Sequence, residues 1–239
     1  MTAPLQTWKV LPHSKPMLIG GTMLTVTGDI HMPLMDLPRR MTVVRLRDAR
    51  LVVYSAIALD EDEMAALEAW GKPAFLVVPG DRHRLDAKIW ADRYPTMQVV
   101  APYGARPKVE ELVRVDTVSP EFKDPEVEFM AVPGTRGHEA ALMVRSAAGC
   151  TLILNDLVGN IHGAKGFGGW LLRLAGFAGD EPHIPSVVKM TVVDDTATLR
   201  LQLMEWAALT TLVRIVVSHG DIIEDNPHKV LRDLAASLN

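Results

Sequence analysis

Cysteine is nearly absent from this 239-residue sequence, which contains only Cys150. A single thiol cannot form an internal disulfide, and such cysteine usage is typical of a reducing compartment. The longest ambiguous apolar stretch, from Phe167 to Gly179, is shorter than the roughly 18 residues of a membrane span and contains Arg173. The N-terminal sequence lacks the basic and then apolar layout of a signal peptide. We therefore expect a cytoplasmic protein that does not act at a membrane.

A strong excess of charge of either sign is also absent. Lys and Arg number 25 and Asp and Glu number 29, which gives a net charge of −4. This mild acidity provides no electrostatic attraction for nucleic acid or for an anionic membrane surface. Hydrophobic residues make up 48% of the chain and charged residues 23%, the balance of a soluble globular protein with a sizeable core.

Apolar runs typical of buried strands alternate with segments of helical periodicity. Residues 41–59 predict a β-hairpin around the polar turn from Arg47 to Arg50, and Asp60 predicts the N-cap of a helix that stops at Gly71. Strands and helices in this order imply mixed sheets with helices on their outer faces. We therefore predict an α+β protein in which residues 1–239 form a single domain. The other predicted strands are AFLVVP, MQVVAP, VEFMAVPG, AALMVRS, TLILND and LVRIVVSHGD.

Acidic and histidine residues follow several of these strands at their carboxyl ends. Neighbouring strands deliver such side chains to one rim, only a few ångströms apart. Imidazole nitrogens and carboxylate oxygens that converge in this way are typical ligands of divalent metal ions. We therefore predict a metal site whose ligands are drawn from Asp81, His83, Asp86, His138, Asp156 and His219.

Each candidate also has an ordinary structural interpretation. Asp86 precedes a predicted helix and would serve as its N-cap, a role that can coexist with metal binding. Asp156 would form a turn, and His219 would simply end a strand. Asp81 and His83 would be solvated loop residues. The order of the residues along the chain favours the metal site more than any one of them does.

That order resembles the metal motifs of the metallo-β-lactamase superfamily. Those proteins carry a His-x-His-x-Asp-His motif after a strand, then a later His, a metal-bridging Asp and a last His. Here LILNDLVGN is similar to the bridging-Asp segment, with Asp156 in place, and IVVSHGD is similar to the last-histidine segment, with His219 in place. The resemblance extends from the hairpin at 41–59 through His219. It implies an αββα sandwich, in which two mixed β-sheets are flanked by helices.

The first motif departs from the family pattern in either of two registers. In the preferred register, Asp81 and His83 take the first two histidine positions. Leu85 then replaces the motif aspartate, and Asp86 replaces the last histidine. In a register shifted by one residue, Asp86 matches the aspartate, whereas both histidine positions hold arginine. The altered motif resembles a degenerate branch of the superfamily, which implies one divalent ion (Zn, Mn or Fe) or none.

Three further residues are candidates for ligand binding. In the segment PGTRGHEA, Thr135 stands at the family's ligand position, and His138 follows three residues later. Arg82 and Arg84 would hold a carboxylate or phosphate if they face the cleft, and would otherwise be solvated on a turn. We therefore take Arg82, Arg84 and Thr135 as candidate ligand-binding residues.

The resemblance implies two alternative functions. The first is a metal-dependent hydrolase of a small ester, thioester or lactone, whose catalytic residues are left open. The second is a non-catalytic protein that has lost its metal centre and binds a small anion or serves as a scaffold. In the first case, and in the anion-binding form of the second, the expected partner is a small molecule.

A glycine-rich insert at about 159–185 interrupts the second half of the chain. It has too many glycines for a core element, yet it carries Phe167, Trp170, Leu171 and Phe177. We expect a mobile apolar lid over the cleft or a contact in a homodimer. Its glycines match the spacing of neither a phosphate loop nor a dinucleotide-binding motif.

Overall fold

Two β-sheets lie face to face, and helices cover the outer face of each sheet. The structure is a computed structural model that describes residues 3–32, 35–162, 169, 172–173, 176 and 178–238. The strands are β1 (Met17–Ile19), β2 (Met23–Met32), β3 (Met35–Arg45), β4 (Arg50–Tyr54), β5 (Lys72–Val77), β6 (Gln98–Val100), β7 (Val127–Ala131), β8 (Ala140–Ser146), β9 (Gly149–Asn160) and β10 (Leu212–Gly220). Within the described residues, the helices are α1 (Glu61–Trp70), α2 (Ala87–Arg93), α3 (Arg106–Glu110), α4 (Ser186–Thr191), α5 (Thr196–Ala207) and α6 (Pro227–Ala236).

Both sheets are mixed. The first has the strand order β1-β2-β3-β4-β5-β6, and the second has the order β10-β9-β8-β7. In the first sheet β1 to β4 are antiparallel, while β5 and β6 join in parallel. In the second sheet β7, β8 and β9 form an antiparallel meander, and β10 pairs in parallel with β9. Parallel neighbours have their carboxyl ends at the same edge, so β4, β5 and β6 present their following loops together.

Alternation along β4 shows how each sheet contributes to two apolar layers. Leu51 and Val53 pack on the helical side with residues of α1 and α2, while Val52 and Tyr54 pack on the side of the second sheet. Helices α5 and α6 cover the outer face of the second sheet, where the indole of Trp206 is buried. The layers are therefore helix, sheet, sheet and helix, which confirms the predicted αββα architecture.

The N-terminal strands extend further than the sequence indicates. The predicted hairpin is confirmed, with Thr42 opposite Tyr54 and Ala49 in a left-handed turn conformation (φ 63°). The sequence does not predict β1, β2 or the first half of β3, because Thr, Gly, Asp and Pro interrupt their apolar pattern. Conversely, the helical pattern of RPKVEELVRV predicts a helix over 106–115, but helix α3 ends at Glu110.

Much of the glycine-rich insert lies outside the described residues. Phe167, Trp170, Leu171 and Phe177 all lie outside the described residues, so the role of this segment as a lid or dimer contact stays a prediction. The single domain over residues 1–239 likewise stays a prediction. No helix in the described part of the chain has the length and apolar character needed to cross a membrane.

Candidate metal centre

Three side chains meet beyond the carboxyl ends of β5 and β10, beside a bulge in β9. The Nε2 atom of His83 lies 3.1 Å from Oδ1 of Asp156 and 3.1 Å from Nε2 of His219. The Nε2 atom of His219 lies 2.9 Å from the same carboxylate oxygen. Each of the three side chains is at most 6% exposed, so their mutual interaction is only weakly screened by water. We call His83, Asp156 and His219 the strand-end site.

The bulge in β9 brings Asp156 to this site. Leu154 pairs with Val217 of β10, but the next pair along the strands joins Gly159 to His219. The four residues of β9 between Leu154 and Gly159 therefore lie opposite the single residue Ser218. Such an irregularity bends a strand and redirects its side chains. It allows a residue of β9 to reach the imidazole at the end of β10.

His83 is held in place by Ser55. Oγ of Ser55 lies 2.8 Å from Nδ1 of His83, and Ser55 directly follows β4, the parallel neighbour of β5. Ser55 has a positive backbone angle (φ 55°). A left-handed conformation is uncommon in residues other than glycine and is concentrated at functional sites. The chain accepts this conformation at the residue that fixes the orientation of the His83 ring.

The outer nitrogen of His219 fixes the tautomer of its ring. Nδ1 of His219 lies 2.6 Å from the carbonyl oxygen of Pro38 in β3. A carbonyl oxygen can only accept, so Nδ1 carries the proton and donates it. In the neutral ring Nε2 then has a lone pair directed at the strand-end site. An outer nitrogen that donates to a backbone carbonyl is the pattern of metal-binding histidines.

The pKa shifts of Asp156 and His83 favour the protonation states that metal ligands require. Burial raises the pKa of the Asp156 carboxyl, but the two histidines beside it lower that pKa more, to well below its usual value. Burial lowers the pKa of His83, although the Asp156 carboxylate acts in the opposite direction. Near neutral pH Asp156 is therefore ionised and His83 is neutral. A carboxylate and neutral imidazoles are the ligand forms that bind divalent metals.

The donor set fits a divalent metal ion. Two imidazole nitrogens and one carboxylate oxygen lie within 3.1 Å of one another, an arrangement that requires a proton or a cation among them. Two imidazoles and one carboxylate suit Zn, Mn or Fe(II). The strand-end site is thus chemically and geometrically suited to a single ion.

A small cavity opens onto Asp156. Its volume is about 90 Å³, and its lining residues are Asp81, Arg82, His138, Glu139, Asp156, Thr191 and Val192. At its mouth both carboxylate oxygens of Asp81 lie 3.1 Å from Nδ1 of His138. The two side chains are 37% and 31% exposed, so this pair can exchange protons with solvent.

Several solved structures are similar in fold to this chain but low in sequence identity. The metallo-β-lactamase FIM-1 from Pseudomonas aeruginosa, in its mono-zinc form, has a TM-score of 0.60 and 12% identity, with 96% of this chain and 97% of that chain covered. The metallo-β-lactamase DIM-1 has a TM-score of 0.64 and 10% identity, with 97% and 100% covered. The enzyme from Erythrobacter litoralis has a TM-score of 0.62 and 11% identity, with 93% and 96% covered.

The chain has the metallo-β-lactamase fold. No protein-family model and no curated protein matches the sequence. Structural likeness at 10–12% identity shows the fold alone, because one fold supports many different activities. The metallo-β-lactamase fold therefore leaves the chemistry open, and a functional proposal has to rest on the side chains at the strand-end site.

Asp86, a candidate ligand, is paired with residues outside the strand-end site. It forms a buried ion pair with Arg39 of β3, and its Oδ1 accepts a hydrogen bond of 3.0 Å from the backbone N–H of Ala58. Asp86 occupies the predicted N-cap position of α2, but its side chain makes no capping hydrogen bond. The structure therefore does not bring Asp86 into the three-residue group, because a guanidinium already neutralises its carboxylate.

The remaining candidates occupy different positions. Arg82 lines the cavity, and its Nη2 lies 3.3 Å from Oγ1 of Thr191. Arg84 instead contacts helix α3 and the residue after it, through the carbonyl of Lys108 and the carboxylate of Glu111. Thr135 is fully buried, and its hydroxyl donates to the carbonyl oxygen of Val132 at 2.6 Å. Neither Arg84 nor Thr135 is among the residues that line this cavity.

Sequence reasoning missed four residues at or beside the site, namely Pro38, Arg39, Ser55 and Glu139. Adjacent arginines at 39 and 40 offered one signal, because neighbours in a strand point to opposite faces and one of them must face a covered side. Glu139 is buried beside Asp156, and its pKa is raised well above the usual value by burial and by that charge. Ser55 and Pro38 act through positions that only the folded chain brings near the histidines.

Proposed function

We propose that this protein is a hydrolase of a small ester, thioester or lactone that uses one divalent ion, Zn, Mn or Fe(II). The ion would be held by His83, Asp156 and His219. The observation that carries the proposal is the convergence of these three ligand atoms, with the outer nitrogens of both rings already bonded. A divalent ion supplies Lewis acidity, which polarises a carbonyl oxygen and makes water a stronger nucleophile.

His138 would transfer protons during the reaction. Its Nδ1 faces the Asp81 carboxylate, which can orient the ring and stabilise its positive charge. The His138 ring lines the same cavity as Asp156, so its Nε2 is the atom available to a substrate or a water molecule. In this proposal Asp81 and His138, which the sequence suggested as ligands, form a proton-transfer pair instead.

The cavity favours small substrates. About 90 Å³ accommodates a reacting carbonyl group and its immediate substituents, whereas sites for drug-sized ligands measure roughly 300–1,000 Å³. Arg82 on the cavity wall would attract a carboxylate or phosphate carried by the substrate. We therefore expect short acyl groups and anionic substrates to be preferred over large neutral ones.

Replacing His138 with Gln is expected to lower kcat/KM by about 100-fold to 10,000-fold while the metal content stays unchanged. General acid–base catalysis contributes a factor of this size, and glutamine cannot take up a proton. The assay uses p-nitrophenyl acetate, a short acyl thioester and γ-butyrolactone, each with Zn²⁺, Mn²⁺ or Fe²⁺ supplied.

The matched control is His31→Gln. His31 also forms a pair with an aspartate, since its Nδ1 lies 2.6 Å from Oδ1 of Asp36, but that pair is exposed and lies on the β2–β3 hairpin. We expect this variant to keep its full activity. A metal-loaded, folded protein that hydrolyses none of the three substrate classes would count against the hydrolase.

A second candidate function is supported by Arg82. Its guanidinium group places fixed positive charge on the cavity wall without any metal ion. On this alternative the protein binds a small anion and carries out no reaction. Calorimetric binding of phosphate or acetate to the chelator-treated protein, lost in Arg82→Gln, would favour the alternative if the metal-loaded protein also hydrolyses none of the three substrates.

A further inference from the structure

We infer that His13, Asp60 and Glu63 form a separate site for a divalent metal ion. One ligand atom from each of these residues lies within 4.8 Å of the other two. His13 belongs to the N-terminal segment, while Asp60 and Glu63 lie at the start of α1. An ion here would tie the N-terminal segment to the helical layer over the first sheet. The inference stands independently of the proposed hydrolase.

The imidazole of His13 is already arranged as a ligand. Its side chain is 6% exposed, and Nδ1 lies 2.8 Å from the carbonyl oxygen of Ser14. That oxygen can only accept, so Nδ1 donates its proton and Nε2 of the neutral ring has a free lone pair. Nε2 faces Oε2 of Glu63 at 3.5 Å, and the two atoms make no hydrogen bond.

Glu63 has an acceptor atom that the described protein leaves unsatisfied. Its Oε2 is buried and has no hydrogen-bond partner among the described residues. A buried carboxylate oxygen without a partner is destabilising, because it has lost its hydration and gained nothing in return. Here the oxygen faces Nε2 of His13 at 3.5 Å. A cation between these two atoms satisfies both of them.

Asp60 supplies the third ligand and further negative charge. It occupies the N-cap position of α1, yet its side chain makes no capping hydrogen bond. The neighbouring Glu61 is neutralised by Arg93, at 2.7 and 2.8 Å, and within the described residues no Lys or Arg pairs with Asp60 or Glu63. Acidic residues in a first turn also complement the helix dipole, but that effect does not explain a buried imidazole facing them.

The chemistry of the donor set defines the ligand. One imidazole and two carboxylates suit borderline divalent ions such as Zn²⁺, Mn²⁺ or Co²⁺, with water completing the coordination. The contacts around His13 suit a structural role. Ser14 pairs with Thr27 of β2 through its backbone, and the indole of Trp8 packs against that of Trp90. An ion would strengthen this attachment of the N-terminal segment.

The test counts zinc in the full chain by elemental analysis after dialysis against low micromolar Zn²⁺. We expect two ions per unmodified chain and one in His13→Ala, because that variant keeps only the strand-end site. Asp156→Asn should also hold one ion, and the double variant should hold none. His228→Ala is the matched control, since its Nδ1 also faces a backbone carbonyl, at 3.1 Å, and it belongs to no ligand group among the described residues.

Glu63→Gln provides a second, nearly isosteric variant should His13→Ala fail to fold. It should lose the same ion with an unchanged circular dichroism spectrum. If His13→Ala and Glu63→Gln both hold as many zinc ions as the unmodified chain, the inference is overturned. If the ion lost in His13→Ala is retained in Asp156→Asn, the inference is supported whatever the hydrolase assay shows. A chain that holds one ion, lost only in Asp156→Asn, would refute this site and leave the proposed function standing.

Discussion

Replacing Asp156 with Asn is expected to lower the affinity of the strand-end site for Zn²⁺ by about 100-fold or more. Loss of a group that merely supports a ligand already costs about 10-fold to 100-fold in metal affinity, and Asp156 would be a ligand itself. Asparagine has nearly the same shape but lacks the negative charge that the two histidines stabilise. The loss should therefore appear in metal binding without a large change in the apo fold.

Thermal unfolding measures this effect. The parent and the Asp156→Asn protein both carry His13→Ala, so that only the strand-end site contributes to the zinc-dependent shift in Tm. Zinc at 100 times its Kd should stabilise the parent by about 2.7 kcal/mol. For a chain of this size, that corresponds to a rise in Tm of roughly 5–10 °C.

The control for Asp156→Asn is a surface aspartate on α6. Asp233 is exposed and pairs with Lys229, so Asp233→Asn should keep the full zinc-dependent shift. The Asp156→Asn protein should show little shift at the same zinc concentration. An equal shift in Tm in the Asp156→Asn and Asp233→Asn proteins would mean that Asp156 is not a ligand.

Replacing Arg39 with Met is expected to destabilise the protein by about 3–5 kcal/mol. The Arg39 and Asp86 side chains are 6% and 1% exposed, so the variant would leave a buried carboxylate without its counter-charge. Asp86 would keep only its hydrogen bond from Ala58. Urea unfolding measures the change in the free energy of unfolding, and an unchanged m-value would show that the two proteins unfold from comparable states.

A double variant separates the buried charge from the lost packing. Arg39→Met with Asp86→Asn removes both charges and keeps an acceptor for the Ala58 N–H, so it should recover most of the lost stability. Arg145→Met is the matched surface control, because Arg145 and Glu128 form an exposed pair whose loss should cost less than about 1 kcal/mol. A cost this small in Arg39→Met would show that the buried pair is not what holds Asp86 in place.

The sheets were predictable where their strands are buried on both faces. β5, β9 and β10 are nearly continuous apolar runs, so composition alone identifies them. β2 and the first half of β3 alternate apolar residues with Thr, Asp and Arg. Their core contribution arises from contact with β10, in which Arg40 donates to the carbonyls of Val217 and Gly220. Contacts of this kind, about 180 residues apart in the chain, leave no local pattern.

The candidate site was predictable only in part. The strand-end rule named His83, Asp156 and His219 because each follows or ends an apolar run, and the structure brings these three together. The same rule could not show that Asp86 pairs with Arg39, since that partner lies 47 residues away on a strand the sequence does not reveal in full. It also could not show the bulge in β9 that turns Asp156 towards His219. Local pattern identifies candidate ligands, whereas sheet register decides which of them meet.

We expect one metal ion to bind at the strand-end site while Asp86 stays paired with Arg39. Anomalous diffraction at the zinc edge, from crystals grown with excess Zn²⁺, locates the bound ions. We expect one peak among His83, Asp156 and His219, with the Arg39–Asp86 ion pair intact. Any other peak within the described chain should lie only at the separate site at His13. The absence of a peak at the strand-end site, or a peak bound by Asp86 with Arg39 displaced, would show that this metal site is wrongly assigned.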